Sequence, residues 1–304
     1  MIERLQIAFP VHPWLRDHHF LGLAVLPMVM AIDFLAALIL EKFPEIDLTK
    51  LEKATFPKLL ALPGDNSLPL LIELERLDDR RLRAAMFTRK SGAVSRLLRH
   101  AEVIFGGPCS EPCGEPFSTA LCGIPDSEAS VPTQEALPAA NGAKEPCRAI
   151  ACEKIYAELV PFGKNFRTLH DQLYLQGDTA SGTLIAPDLD LDLDLDPPSF
   201  CPALPNPFLL DGAMHAACVH GQTFCGFVPF PAGFAAIEVE NASKLQMPGH
   251  VYETRCCLIE KTVNELRYDL GVRSDGGAIK LSGLVMRDVS GGAIKPPPWI
   301  RQIP

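Results

Sequence analysis

Two apolar segments of helical period, each followed by a series of strand-length runs, constrain this chain more than any other feature. In PMVMAIDFLAALILEKF, which begins at Pro27, Met28, Ile32, Leu35 and Ile39 recur at spacings of four, three and four. Proline suits the first turn of such a helix, where a backbone N–H has no partner to lose. In the second segment, NPFLLDGAMHAACVHGQ, Asn206 can cap the helix and Pro207 can take its first position. After the first helix come LPLLIELERL, LRAAMFTR and AVSRLLRHAEVIF; after the second come AAIEVE, HVYETRCCLIE, ELRYDLGVR and IKLSGLVMRDV. These runs are short, partly alternating and punctuated by Gly, Asp and Asn, as strands are. The same layout occurs twice, so the chain reads as two similar α+β units. The first spans residues 1–106 and the second 148–304. Residues 107–147, rich in Pro, Gly, Ser and Ala and without apolar period, read as a linker.

Charge and composition narrow the partners. The chain has 304 residues, 47% of them apolar and 21% charged, enough to bury a substantial core. A net charge of −9 argues against a nucleic-acid partner, because phosphate binding needs a clustered cationic surface. The start, MIERLQIAFPVHPWLRDHH, mixes charge and proline before any apolar run, unlike a secretory leader, so a cytoplasmic setting is expected. Residues 20–40 are apolar, but Pro27 interrupts them and Asp33 would cost roughly 3 kcal/mol at a bilayer centre, so no membrane span is expected. The ten cysteines form no CxxC pair, and Cys109, Cys113 and Cys122 lack a second tight pair for a zinc knuckle, so reduced, non-ligating thiols are expected. The run DLDLDLDLD at 188–196 would place five aspartates on one strand face and is read as a solvated loop without calcium.

No GxSxG, GxGxxG or HExxH signature is present, and GDTASGT at 177–183 lacks the lysine of a phosphate loop. Histidine and aspartate remain. In DHHFLGLAVLP, His18 stands four residues before Gly22, which stands five before Pro27, giving H-x3-G-x4-P ahead of the first helix. The second helix carries Asp211 and His215 on one face, four residues apart. Each motif opens the helix of its own half.

On these residues the chain resembles the dehydratase domains of polyketide synthases and related polyunsaturated fatty-acid synthases. HPWLRDHHFLGLAVLP is similar to the family's first motif, LPNPFLLDGAMHAA to its second-half motif, and YAELVPFGKNFRTL at 156–169 to its Y-x-x-L and G-x-x-Y-G-P-x-F elements. The resemblance spans essentially the whole chain. It implies a double hot dog, in which two antiparallel sheets each wrap a long central helix. It also implies dehydration of a 3-hydroxyacyl thioester, carried on the phosphopantetheine of an acyl carrier protein, to the trans-2-enoyl thioester. No metal or organic cofactor is implied.

The motif register selects His18 rather than His19 as the base, and an imidazole is substantially neutral at working pH. Asp211 would be the acid, which requires a protonated carboxyl; an apolar tunnel favours that form and a helix N-terminus opposes it. His215 would orient the carboxyl. Backbone N–H groups near Gly22 and the start of the first helix, after Pro27, could polarise the thioester carbonyl. Phe162 and Phe166 are expected to line the substrate site or to be core. Departures from the family pattern are Met28 for glycine, Asn206 for histidine, Phe162 for tyrosine and Lys164 for proline. Residues 76–99 concentrate Arg76, Arg80, Arg81, Arg83, Arg89, Lys90, Arg96 and Arg99, which offer a face for an acidic carrier or simply solvated strand surfaces. The resemblance implies a homodimer. Three alternatives stay open: a catalytically silent acyl-binding or scaffold module, an enoyl isomerase needing only His18, and a product-template type of cyclase.

Overall fold

The computed structural model describes residues 2–90, 96–107, 146–189 and 200–301. Most of the expected linker, with Cys109, Cys113 and Cys122, lies outside them, as does most of the aspartate run. In chain order the first half comprises β1 (Ile2–Pro10), the short hairpin β2 (His19–Phe20) and β3 (Leu23–Ala24), α1 (Met28–Lys42), β4 (Lys50–Thr55), β5 (Ser67–Arg76), β6 (Leu82–Lys90) and β7 (Arg96–Phe105). The second comprises β8 (Arg148–Ala151), α2 (Cys152–Glu158), β9 (Leu169–Gln176), β10 (Thr179–Ile185), α3 (Pro207–Gln222), β11 (Phe230–Glu240), β12 (Val251–Lys261), β13 (Glu265–Ser274), β14 (Gly277–Arg287) and α4 (Pro298–Arg301).

Strand alternation decides which face is buried. Leu70, Ile72 and Leu74 of β5 are buried at every second position, as are Leu266, Tyr268, Leu270 and Val272 of β13. Helix α3 is buried at every position from Pro207 to Gln222, as expected of a helix without a continuous polar face. Asn206 caps it as read from the sequence, accepting the Phe208 N–H at 3.1 Å. Pro27, by contrast, stands at the N-cap of α1 rather than within its first turn; its carbonyl accepts the Ala31 N–H at 3.1 Å. No helix among the described residues is long and apolar enough to cross a membrane.

The expectation of two separate sheets differs from what the backbone does. Twelve strands form one continuous sheet in the order β1-β5-β6-β7-β4-β11-β14-β13-β12-β10-β9-β8, with every pair antiparallel. The repeat is visible in that order. The first strand after each helix, β4 and β11, lies at the middle, and the two pair with each other through Thr55 with Gly233, Leu51 with Ile237 and Lys50 with Glu238. Two sheets became one because each half leaves that strand with an unpaired edge, and the two edges satisfy each other. Helix α3 packs on β9, β10, β12 and β13 and also touches α1, while α1 packs on β7.

At this junction β11 bulges between Pro231 and Gly233. A Cβ on Gly233 would fall 2.4 Å from the Ala54 carbonyl oxygen. Replacing Gly233→Val is therefore expected to force the junction apart and to destabilise the protein by roughly 1–3 kcal/mol, the usual range for overpacking. A denaturation midpoint equal to that of the wild type would show that β4 and β11 are not held at this spacing.

Candidate active site

The segment carrying His18 is fixed from both sides. Pro13 to Asp17 form a short 3-10 turn that buries Trp14 and Leu15, and the His18 N–H donates to the Leu15 carbonyl at 3.2 Å. Beyond it, Leu21 and Gly22 both have positive φ, 51° and 77°, and turn the chain into β3. At 22 it is the positive φ that favours glycine and not lack of space, for nothing lies within 4 Å of where its Cβ would be. The Val25 N–H donates to the His18 carbonyl at 2.9 Å, and the Val25 carbonyl lies 2.9 Å from His18 Nδ1. A carbonyl only accepts, so Nδ1 carries the ring proton and Nε2 keeps a free lone pair. That is the tautomer a base needs.

A second tie reaches across to the other half. The Asp17 carboxylate accepts from the Asn165 N–H at 3.0 Å and from Asn165 Nδ2 at 2.8 Å, and the Gly163 N–H donates to the Asp17 carbonyl at 2.9 Å. A Cβ on Gly163 would lie 2.3 Å from the Asp17 carboxyl carbon, so glycine is what lets the FGKNF loop close on it. This brace sets Phe162 against His18, with ring centroids 4.4 Å apart, and against His215 at 5.1 Å. Phe162 thus stands beside both imidazoles. Phe166 has another place: it is fully buried, touches His18, Trp14 and Phe208, and backs the histidine instead of lining the cavity.

On the facing side, Asp211 and His215 project from one face of α3, both buried. Asp211 Oδ2 and His215 Nε2 are 3.0 Å apart, although off line for a regular hydrogen bond. The other ring nitrogen, Nδ1, lies 3.3 Å from the Tyr156 hydroxyl of α2. A cavity of about 1420 Å³ is lined by His18, Gly22, Met28 and Phe162 together with Asp211 and His215. His19 lines it too, with only an edge contact on Phe162, 6.3 Å between centroids. Pro27 does not line it; its part is to start α1.

Burial acts on the two candidate groups in opposite senses. For His18 it disfavours the cation, and although the Asp211 charge works the other way, the imidazole is held below its ordinary 6.5. For Asp211 burial pushes upward, but His215 and then His18 outweigh it, so the carboxyl is held below its ordinary 3.8. The empty site therefore pairs a neutral imidazole with a carboxylate. Cys218 also lines the cavity, but burial pushes its thiol up to about 12 and leaves it unreactive. Among the described residues no three His, Cys, Asp or Glu side chains gather into a group that could hold a metal ion.

Residues 4–89 match the family described as polyketide synthase dehydratase domain. No curated protein matches the chain. Among solved structures, the dehydratase domain of a mycocerosic acid synthase-like polyketide synthase aligns with a TM-score of 0.65 at 16% identity, covering 95% of this chain and 92% of its own. The fold is that of a polyketide synthase dehydratase domain. The dehydratase domain from the CurJ module of curacin polyketide synthase is similar at TM-score 0.63 and 17% identity, over 94% of this chain and 91% of that one. That of PpsC from Mycobacterium tuberculosis, in complex with C12:1-CoA, is similar at 0.65 and 13%, over 94% and 93%.

His18, Asp211 and His215, singled out by their motifs, line this cavity, and Tyr156 of the Y-x-x-L element stands behind His215, whereas Asp17 and Asn165 carry no local signal in the sequence. Asp17 sits next to His18 in DHH, yet its partner is 148 residues away. Because that carboxylate holds two N–H donors, Asp17→Ala is expected to lower stability by about 1.5–3 kcal/mol, the range for hydrogen bonds to a charged group. Urea denaturation of the two proteins is the check, and an unchanged midpoint would mean that the brace carries no stability.

Proposed function

We propose that this protein removes water from a 3-hydroxyacyl thioester, with His18 as base and Asp211 as acid. His18 Nε2 takes the α-proton, the Cα–Cβ double bond forms as the Cβ–O bond breaks, and the hydroxyl leaves as water with a proton from Asp211. One observation carries the reading: a histidine with a free Nε2 and a buried carboxylate, from opposite halves of the chain, line one cavity. His215 holds the carboxyl, and the Gly22 main chain borders the cavity where a thioester carbonyl would lie.

The substrate arm in this proposal is phosphopantetheine on an acyl carrier protein. Of the arginines considered for docking, Arg81 binds Asp78 at 2.7 Å, Arg76 pairs with Glu45 and Arg83 with Glu75, so their charge is largely answered within the chain. The Arg80 N–H is held by Asp78. Lys53 and Lys58 are better placed for an anionic arm, since both are exposed and line the cavity. A homodimer and a cytoplasmic setting belong to this proposal as well. A second reading, an acyl-binding module without turnover, draws on Phe162, which offers no hydroxyl between the two imidazoles.

The test is incubation with 3-hydroxyacyl pantetheine thioesters and carrier-bound equivalents, following loss of one water by mass. Turnover is expected for the wild type and not for His18→Ala or Asp211→Asn. Binding of every substrate without water loss would favour the module.

The acid and base also set a pH dependence. The reactive form carries one proton on the pair, on Asp211 and not on His18. As pH rises through the lowered imidazole value the pair loses that proton; as pH falls through the lowered carboxyl value it gains a second. The kcat/KM profile, which reports the free enzyme, is expected to be bell-shaped with its alkaline limb below 6.5. These apparent values belong to the pair rather than to either residue. An alkaline limb above 6.5 would count against this assignment of acid and base.

A further inference from the structure

Behind Asp211 and His215 lies a buried hydroxyl that the proposed reaction does not use. Tyr156 of α2 is only 4% exposed, and its ring meets the His215 ring edge-on with centroids 5.9 Å apart. The Leu169 N–H donates to Tyr156 Oη at 2.7 Å. That bond occupies one lone pair of the oxygen and leaves the hydroxyl proton two neighbouring acceptors, the Thr168 side chain and the His215 ring, of which only the ring nitrogen has no proton of its own to place. Burial pushes the phenol upward, so the proton is present. His215 Nδ1 is 3.3 Å away.

We propose that Tyr156 is a positioning residue that donates to His215 Nδ1 and thereby keeps the ring proton on Nε2, facing Asp211. The donors run in one direction, from the Leu169 N–H to the Tyr156 hydroxyl to the His215 ring, whose Nε2 then stands 3.0 Å from the carboxylate in a charge–dipole contact and not an aligned hydrogen bond. Each donor polarises the next, which strengthens the last contact in the series. The arrangement complements that of His18, where a backbone carbonyl fixes the proton on Nδ1 and frees Nε2. Two histidines in one cavity are thus set to opposite tautomers, one open to accept a proton and the other with its proton toward the carboxylate. The catalytic part of this inference rests on the dehydratase reading, and the structural part does not.

The experiment is 15N NMR of protein labelled at histidine, with the His215 resonances identified by their loss in His215→Gln. In the wild type, Nδ1 is expected to be unprotonated and hydrogen-bonded, and Nε2 to carry the proton. In Tyr156→Phe the Nδ1 resonance is expected to move to that of a nitrogen without a donor and the second tautomer to appear. There kcat should fall roughly five- to tenfold, the worth of one neutral hydrogen bond, with KM nearly unchanged. A wild-type His215 with its proton on Nδ1, or a folded Tyr156→Phe whose His215 resonances do not move, overturns the proposal. If Tyr156→Phe does not fold, the wild-type spectrum decides alone. Because the ring measurement needs no turnover, a protein that dehydrates nothing would fell the functional reading and leave this assignment to the spectrum.

Discussion

The pairing of β4 with β11 is the interaction on which the rest of the structure depends. Each half supplies one long helix and one set of strands, and each half by itself carries only part of the candidate site: His18 before α1 in one, Asp211 and His215 on α3 in the other. Joining the two central strands turns two sheets into one and brings the loop before α1 over the face of α3. The junction fixes the halves only coarsely, because a strand pair can still hinge along its length. The Asp17 clasp on Gly163 and Asn165 supplies the finer adjustment, close to the imidazole itself. Backbone pairing thus sets the distance between the halves, and a charged hydrogen bond holds the segment that carries His18.

The electrostatics of the cavity follow from that placement. A buried imidazole resists protonation, whereas a buried carboxyl resists ionisation, and burial alone would make both groups neutral. His215, 3.0 Å from Asp211, tips the carboxyl back toward the anion. For His18 the Asp211 charge favours the cation, but burial outweighs it, and its ring hydrogen bond goes to a carbonyl that either ring state could use. The asymmetry between the two groups comes chiefly from His215, whose other ring nitrogen lies 3.3 Å from the Tyr156 hydroxyl of α2.

Much of this was legible in the sequence, for identifiable reasons. The strands with clean alternation, such as LPLLIELERL and ELRYDLGVR, were readable because period-two burial is a local property. Both long helices were readable for the same reason, and the register of H-x3-G-x4-P separated His18 from His19. The merging of the sheets was not, because which edges meet depends on the tertiary packing of segments some 180 residues apart in sequence, Thr55 and Gly233 among them. The bracing residues were hidden likewise: nothing local in DHH or FGKNF says that Asp17 and Asn165 will touch. The arginine-rich stretch left two readings open, a docking face or solvated strand surfaces. Its charge was plain, but its partners, Glu45, Glu75 and Asp78, were unremarkable acidic residues until the strands aligned them. Phe166 looked like a substrate contact from its motif, and its complete burial makes it a support for His18.

The resting state of the pair raises a question that the cavity itself answers. With the imidazole neutral and the carboxyl ionised, the empty site lacks the proton that a departing hydroxyl requires. Adding one proton gives two possible forms: an imidazolium facing a carboxylate, or an imidazole facing a carboxylic acid. In a wet cavity the first, charge-separated form is favoured, since water solvates both ions. On the proposed function, an acyl chain filling the cavity beside Phe162 would expel that water, and desolvation penalises two charges while leaving two neutral groups untouched. The neutral form is the reactive one. On that reading, binding of an apolar chain would select the protonation state that the proposed reaction needs, and Phe162, with its ring against both imidazoles and no hydroxyl to hold water there, would favour the same selection.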